Sequence, residues 1–232
     1  VSTNGFKRAN AVFEDLMYQN LRQVGAAADE QNNLPTGLQL GLGVRTVATS
    51  RQFTQGSLQQ SGNNLDVAVN GGGFLQVTMP DGTTGYTRDG SLQLDAQGRL
   101  VTSSGYPLTA GITIPPEAQS VTIGNDGVVS AKMPGQATPQ AVGTIELANF
   151  VNPAGLEPRG QNLFGESLAS GNPITGAPGT AGMGTLMQGF VETSNVNVVQ
   201  ELVTMIQTQR AYEMNSKAIT TSDQMLQRLA QL

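Results

Sequence analysis

The amino-acid sequence predicts a mainly β protein with α: an antiparallel central domain built as a barrel or sandwich, followed by a long coiled-coil-like helix. Three observations point there. Residues 50–185 alternate short apolar stretches with turn residues, every Gly and Pro lies at or before Gly189, and beyond it apolar side chains return every seventh residue. The chain therefore divides into an N-terminal segment, 1–49, a β-rich central domain, 50–185, and a C-terminal helical domain, 186–232.

In the N-terminal segment an apolar run over 12–18 fits a short helix or an extended strand, and its periodicity does not choose between them. The polar, small-residue stretch 23–33 reads as a flexible loop or as an arm ordered by a neighbour. Val1-Ser2-Thr3-Asn4-Gly5 opens the chain on a polar phrase without a helix start, so a further segment is expected before it.

In the central domain residues 65–69 alternate, and 74–79 run into Pro80-Asp81-Gly82, a turn that returns the chain toward Tyr86 and predicts a hairpin. Asp89-Gly90, Gln97-Gly98, Ser104-Gly105 and Asn125-Asp126-Gly127 separate further strands at 92–94, 99–102, 112–114, 121–123 and 128–131. Residues 152–185 are rich in Gly, Pro, Asn and Ser with few apolar anchors, and are expected to make a long excursion over the surface.

The tail begins with Asn197 as a helix cap, and Gln200 three residues on completes a capping-box-like pair. A helix running to about Ala230 would rise roughly 50 Å at ~1.5 Å per residue. Val198, Met205, Tyr212, Ile219 and Leu226 share the seven-residue period, and Leu202, Ile206, Met225 and Leu229 widen the stripe. Gln209, Ser216 and Asp223 are polar at the complementary positions, so packing against several neighbours fits better than a two-stranded zipper. One Glu213–Lys217 pair contributes only ~0.3 kcal/mol and four threonines lower the intrinsic propensity, so burial must hold the helix. The stripe could pack on the chain's own β domain; its reach and polar positions favour an extended interface through Val198, Leu202, Met205, Tyr212, Ile219 and Leu226.

Composition narrows the function. Charged residues make up 12% of the chain against ~25% in an ordinary domain, and Gly is enriched at 29 of 232, so the surface is mostly amide and hydroxyl. Identical copies then repel one another only weakly. A net charge of -5 with scattered Lys and Arg argues against nucleic acid as a partner. Cys, His and Trp are all absent, which removes thiolate nucleophiles, imidazole bases and the usual transition-metal ligands, so neither an enzyme nor a cofactor or metal protein is expected. No apolar run approaches the ~20 residues of a membrane span, and residues 1–20 show no apolar signal core.

Candidate sites read as structural. Gly71-Gly72-Gly73 precedes an apolar run, whereas a phosphate loop follows a strand and opens a helix, so a turn or close backbone contact is expected. Asp89 and Asp95 lie near turns with no companion cationic, aromatic or imidazole group apparent to tune them, and Asn125-Asp126-Gly127 lacks the further carboxylates of a calcium loop. Two other classes fit less well: a hydrolase using Asp89 or Asp95, and a β-rich glycan-binding fibre. The second lacks a clustered aromatic platform, its 4 Tyr and 7 Phe being spread along the chain.

Ser2-Thr3-Asn4-Gly5-Phe6-Lys7 resembles the phrase that follows the first helix in the rod and hook proteins of the bacterial flagellar axis. Residues 71–76 with Tyr86-Thr87-Arg88-Asp89-Gly90, then Gln188-Gly189 with Val191-Glu192-Thr193-Ser194-Asn195-Val196, resemble that family's central and pre-helical motifs. Gln209-Arg210-Ala211-Tyr212-Glu213 with Asn215-Ser216-Lys217 is similar to its C-terminal signature. Within the family, 18–37 and Gly41-Leu42-Gly43-Val44-Arg45 resemble the insertion of the distal-rod branch; proximal rod and hook relatives are the neighbouring alternative.

The resemblance implies a helical homopolymer whose inner wall is made by paired terminal helices, with β domains outside, and a role in mechanical transmission of torque. It implies a location in the basal body, crossing the periplasm and outer membrane inside the L and P rings, with proximal rod and hook proteins at the two ends. It further implies passage through the flagellar export apparatus. The family's N-terminal helix is the segment expected before Val1. On this reading 18–37 is an arm, carried by Tyr18, Leu21, Val24 and Leu34, that bridges adjacent subunits and opposes bending.

Overall fold

The computed structural model describes residues 3–22, 27–29, 32–33, 36–136 and 138–229. The apolar run near the N-terminus is extended, since β1 (Ala9–Asp15) pairs antiparallel with β6 (Val44–Arg51). Farther out, β2 (Tyr18–Arg22) pairs with β5 (Leu38–Gly41), and β3 (Ala27–Asp29) with β4 (Asn32–Asn33). The pairs follow one another as a two-stranded ribbon with bulges beside Phe13 and Arg22. A bulge adds local twist and re-aims the strand beyond it. The ribbon runs from Ala9 to Arg51, well beyond the expected arm at 18–37, and every described residue of β5 and almost every one of β1 and β6 is exposed.

The chain then enters β7 (Leu58–Gln60), β8 (Val67–Asn70), β9 (Phe74–Thr78) and β10 (Thr84–Thr87). Pro80-Asp81-Gly82 makes the expected hairpin turn: Gly82, at φ +79°, donates its N–H to Met79 O at 2.9 Å, a conformation that favours Gly. β11 (Leu92–Leu94) pairs with β12 (Leu100–Thr102), and β13 (Ser120–Ile123), β14 (Val128–Lys132) and β15 (Gln140–Thr144) form a three-stranded sheet. Expected strand 112–114 is reduced to a single bridge, Arg99 to Thr113.

The stretch expected to run over the surface, 152–185, is largely exposed, but it is also paired into the sheet. β16 (Leu147–Asn149), β17 (Glu157–Gly160), β18 (Leu163–Gly165) and β19 (Ile174–Gly176) join β9 and β10 in a six-stranded antiparallel sheet of order β17-β18-β10-β9-β16-β19. β20 (Thr185–Gln188) pairs with β8, and β21 (Phe190–Glu192) with β7. Single buried anchors, Leu156, Leu163, Phe164 and Met183, hold this segment where composition suggested little to hold it.

The six-stranded sheet is apolar on both faces because successive side chains point to opposite sides. Leu75, Leu147 and Leu163 face a core shared with Val69, Val129 and Leu186, while Phe74, Ala148 and Phe164 face a second cluster with Tyr86, Phe150 and Leu156. Phe53, Phe74, Tyr86, Phe150 and Phe164 meet edge to face with ring centroids 4.8–6.2 Å apart. Five of the 11 Tyr and Phe residues spread along the sequence are thus gathered in space, packed at the sheet rather than as a surface platform. The sheets stack as an open sandwich and do not close into a barrel.

The tail is a single helix, α1 (Val198–Leu229). Asn197 caps it as the sequence indicates, its Oδ1 accepting the N–H groups of Val199 (3.1 Å) and Gln200 (3.3 Å). Thr204, Thr208 and Thr221 turn their hydroxyls back onto carbonyls one turn earlier. The ion pair expected between Glu213 and Lys217 is not among those of the described residues.

Candidate assembly surfaces and the joint between them

Every described residue from Leu202 to Arg228 is exposed. The candidate interface residues Val198, Leu202, Met205, Tyr212, Ile219 and Leu226 retain 44% to 76% of their surface. An isolated helix is marginal in water, and apolar side chains on it have no stabilising contact unless a neighbour supplies one. The seven-residue period also drifts by ~20° per heptad on a straight helix, the offset that a left-handed supercoil removes.

The ribbon presents the same situation in β form. Phe13, Met17, Tyr18, Leu21, Leu38 and Leu40 are all more than half exposed. A two-stranded hairpin by itself is marginally stable at best. Of the candidate arm residues, Tyr18 and Leu21 lie on β2, with Tyr18 opposite Gly41 and Leu21 in the bulge; Val24 and Leu34 lie outside the described residues.

Where ribbon, sheet and helix converge the chemistry changes. Lys7, Arg88 and Glu192 are buried together. Glu192 Oε1 accepts from Lys7 Nζ and from the Gly56 N–H (2.8 Å), and its Oε2 accepts from Arg88 Nη1 at 3.2 Å. Lys7 Nζ also donates to Thr54 O (2.8 Å), and Arg88 Nη2 to Gly71 O (2.8 Å), with the guanidinium 5.3 Å from the centre of the Phe74 ring. Burial pushes the Lys7 ammonium and the Arg88 guanidinium below their ordinary values, and Glu192 works against that shift in both. The three residues come from the three phrases 2–7, 86–90 and 191–196, which the sequence singled out as motifs without suggesting that they meet.

Glycines in these phrases, and Gly56 packed against one of them, are there for space. A Cβ on Gly5 would lie 2.6 Å from the Asp89 N, one on Gly56 1.9 Å from Thr193 O, and one on Gly90 1.6 Å from Val67 O. Gly71-Gly72-Gly73 makes the expected close backbone contact: Gly72 O accepts the Gly184 N–H at 2.7 Å.

Asp89 and Asp95 do not form a pair. Asp89 Oδ1 accepts the Ser91 N–H (3.1 Å), and Asp95 Oδ1 accepts those of Gln97 (2.9 Å) and Arg99 (2.8 Å). Contrary to the expectation of no cationic companion, Arg99 Nε donates to Asp95 Oδ2 at 2.8 Å. Both carboxylates shape turns. No described helix is long and apolar enough to cross a membrane.

The Flagellar hook protein FlgE/F/G D1 domain family matches residues 68–131, and the Flagellar basal body rod FlgEFG protein C-terminal family matches 187–232. Those matches, over a β sandwich with an exposed terminal helix, define the class as the axial proteins of flagellar hook and rod. Flagellar basal-body rod protein FlgG of Buchnera aphidicola subsp. Schizaphis graminum is 59% identical over 232 residues, covering 100% of this chain and 89% of that protein. FlgG of Borreliella burgdorferi is 49% identical over 228 residues (97% and 86%), and FlgG of Bacillus subtilis 39% over 237 residues (100% and 89%). The chain belongs to the FlgG family of flagellar basal-body rod proteins.

Proposed function

We propose that this protein is the structural subunit of the distal rod in the flagellar basal body, polymerising into a stiff helical tube that carries motor torque through the cell envelope to the hook. The observation that carries this reading is the pairing of two extended apolar surfaces, α1 and the ribbon, with a self-sufficient β sandwich between them. Helices packed side by side from many copies would cover the stripe through Val198, Leu202, Met205, Tyr212, Ile219 and Leu226. The rod would abut proximal rod and hook proteins at its ends and turn inside the L and P rings after export through the flagellar apparatus.

The ribbon supplies stiffness. Its β1 and β2 strands alone span roughly 40 Å at ~3.3 Å per residue, long enough to reach across a neighbouring subunit. Tyr18 and Leu21, with Leu38 and Leu40 on the partner strand, are the side chains that a neighbour would bury. A contact that spans subunits resists the sliding between them that bending requires. Deleting residues 19–36 at the chromosomal locus should leave the β sandwich folded and secreted while the rod bends. Straight rods in basal bodies purified from that strain would contradict the arm's role.

A further inference from the structure

We infer that Lys7, Arg88, Glu192 and Asn195 form a rigid joint that fixes the attitude of α1 to the β sandwich, so that a load on the helix turns the whole subunit. The inference rests on the rod-subunit reading and adds the load path within one subunit.

The stretch between β21 and α1 is tied down from several sides. Glu192 carries the buried carboxylate, its backbone O accepts the Gly5 N–H (2.8 Å), and the Thr193 N–H donates to Ser57 O (2.9 Å). Asn195 Oδ1 accepts the Arg8 N–H (2.8 Å) while its Nδ2 donates to Gln52 O (2.8 Å) and Thr54 Oγ1 (3.0 Å), clamping the base of the ribbon. Arg8 Nε lies 3.0 Å from Glu201 Oε1 in the first turn of α1, an ion pair without hydrogen-bond alignment. Beyond Glu201 the described helix is exposed throughout, so among the described residues 192–201 is where force passes between helix and sandwich. Two buried cations on one carboxylate suit such a joint: any rotation that separates them leaves a charge in the dry interior without its partner.

Two variants at the chromosomal locus test this: Asn195→Ala, which removes the clamp and leaves the buried charges in place, and Glu192→Gln, which breaks the charge cluster. Asn195→Ala should keep normal secretion and shift the melting of the β sandwich by no more than about 2 °C. In electron cryomicroscopy of purified basal bodies its β layer should lose order relative to the helical tube, or rods should be lost at normal secretion. Glu192→Gln should do the same and also lower the melting temperature. A β layer as well ordered as wild type in Asn195→Ala would overturn the inference. So would a fall in melting temperature as large as that of Glu192→Gln, because Asn195 would then belong to the sandwich itself. The rod reading is tested separately, by whether Ile219→Asp on the exposed helical stripe abolishes rods at normal secretion.

Discussion

Lys7 and Glu192 stand 185 positions apart in the chain, yet they form an ion pair in which neither side chain keeps any exposure to water. Arg88 shares the same carboxylate. Removing the negative charge strands two cations, so Glu192→Gln should destabilise the β sandwich by about 3–5 kcal/mol in denaturant unfolding. Adding Lys7→Met should cost less than the sum of the two single changes, by about 1 kcal/mol or more. Additive effects, or a Glu192→Gln protein as stable as wild type, would show that the cluster does not hold these three segments together.

Gly90 and Gly82 resist an added Cβ for different reasons. An added Cβ at Gly90 meets the Val67 carbonyl, whereas at Gly82 it meets open space and only the positive φ resists it. Gly90→Ala should cost about 3 kcal/mol and Gly82→Ala about 1–2 kcal/mol in the same unfolding measurement. Equal losses would mean that the approach of Gly90 to Val67 is not what fixes the residue.

Asp81 sits in the hairpin turn with Thr83. The Thr83 hydroxyl (2.6 Å) and N–H (3.0 Å) both donate to Asp81 Oδ1 and hold its carboxyl below the usual Asp value. The folded state therefore favours the carboxylate: the stabilisation is present above the ordinary Asp pKa and is lost as pH falls through the lowered value. Thr83→Val should raise the Asp81 pKa toward the ordinary Asp value and flatten the acid limb of stability, read by NMR titration. An unmoved pKa in Thr83→Val would discount the hydroxyl.

In a verified monomer α1 should exchange its amide protons fast from Leu202 onward, while β9, β10 and β16 stay protected. A helix without neighbours opens locally at little cost, and burial of Leu75 and Leu147 gives the sheet its own core. Protection across 202–226 equal to that of the sheet would show that the helix is stable without partners.

The two ends of this hierarchy were legible to different degrees. The 74–87 hairpin and the start of α1 were readable because Pro80-Asp81-Gly82 and Asn197 act on their immediate neighbours. Strands β16 to β20 were not, because each rests on one or two anchors such as Leu147 or Leu186 whose partners lie far along the chain. The charge cluster was hidden for the same reason. Lys7, Arg88 and Glu192 each look like ordinary surface charge in sequence, and the only signal was their place in three separately recognisable phrases beside space-limited glycines.

On the proposed reading α1 drives assembly and contributes little to the fold of the single subunit. Ile219 is 63% exposed, so Ile219→Asp places a carboxylate in water in the monomer; in the proposed dry contact between helices of the rod it would cost several kcal/mol, repeated along the tube. The decisive measurement introduces Ile219→Asp at the chromosomal locus and compares secretion, β-sandwich melting and rods in purified basal bodies. The account predicts normal secretion, melting within about 2 °C of wild type, and no rods. Normal rods, or a sandwich that unfolds in the secreted monomer, would contradict it.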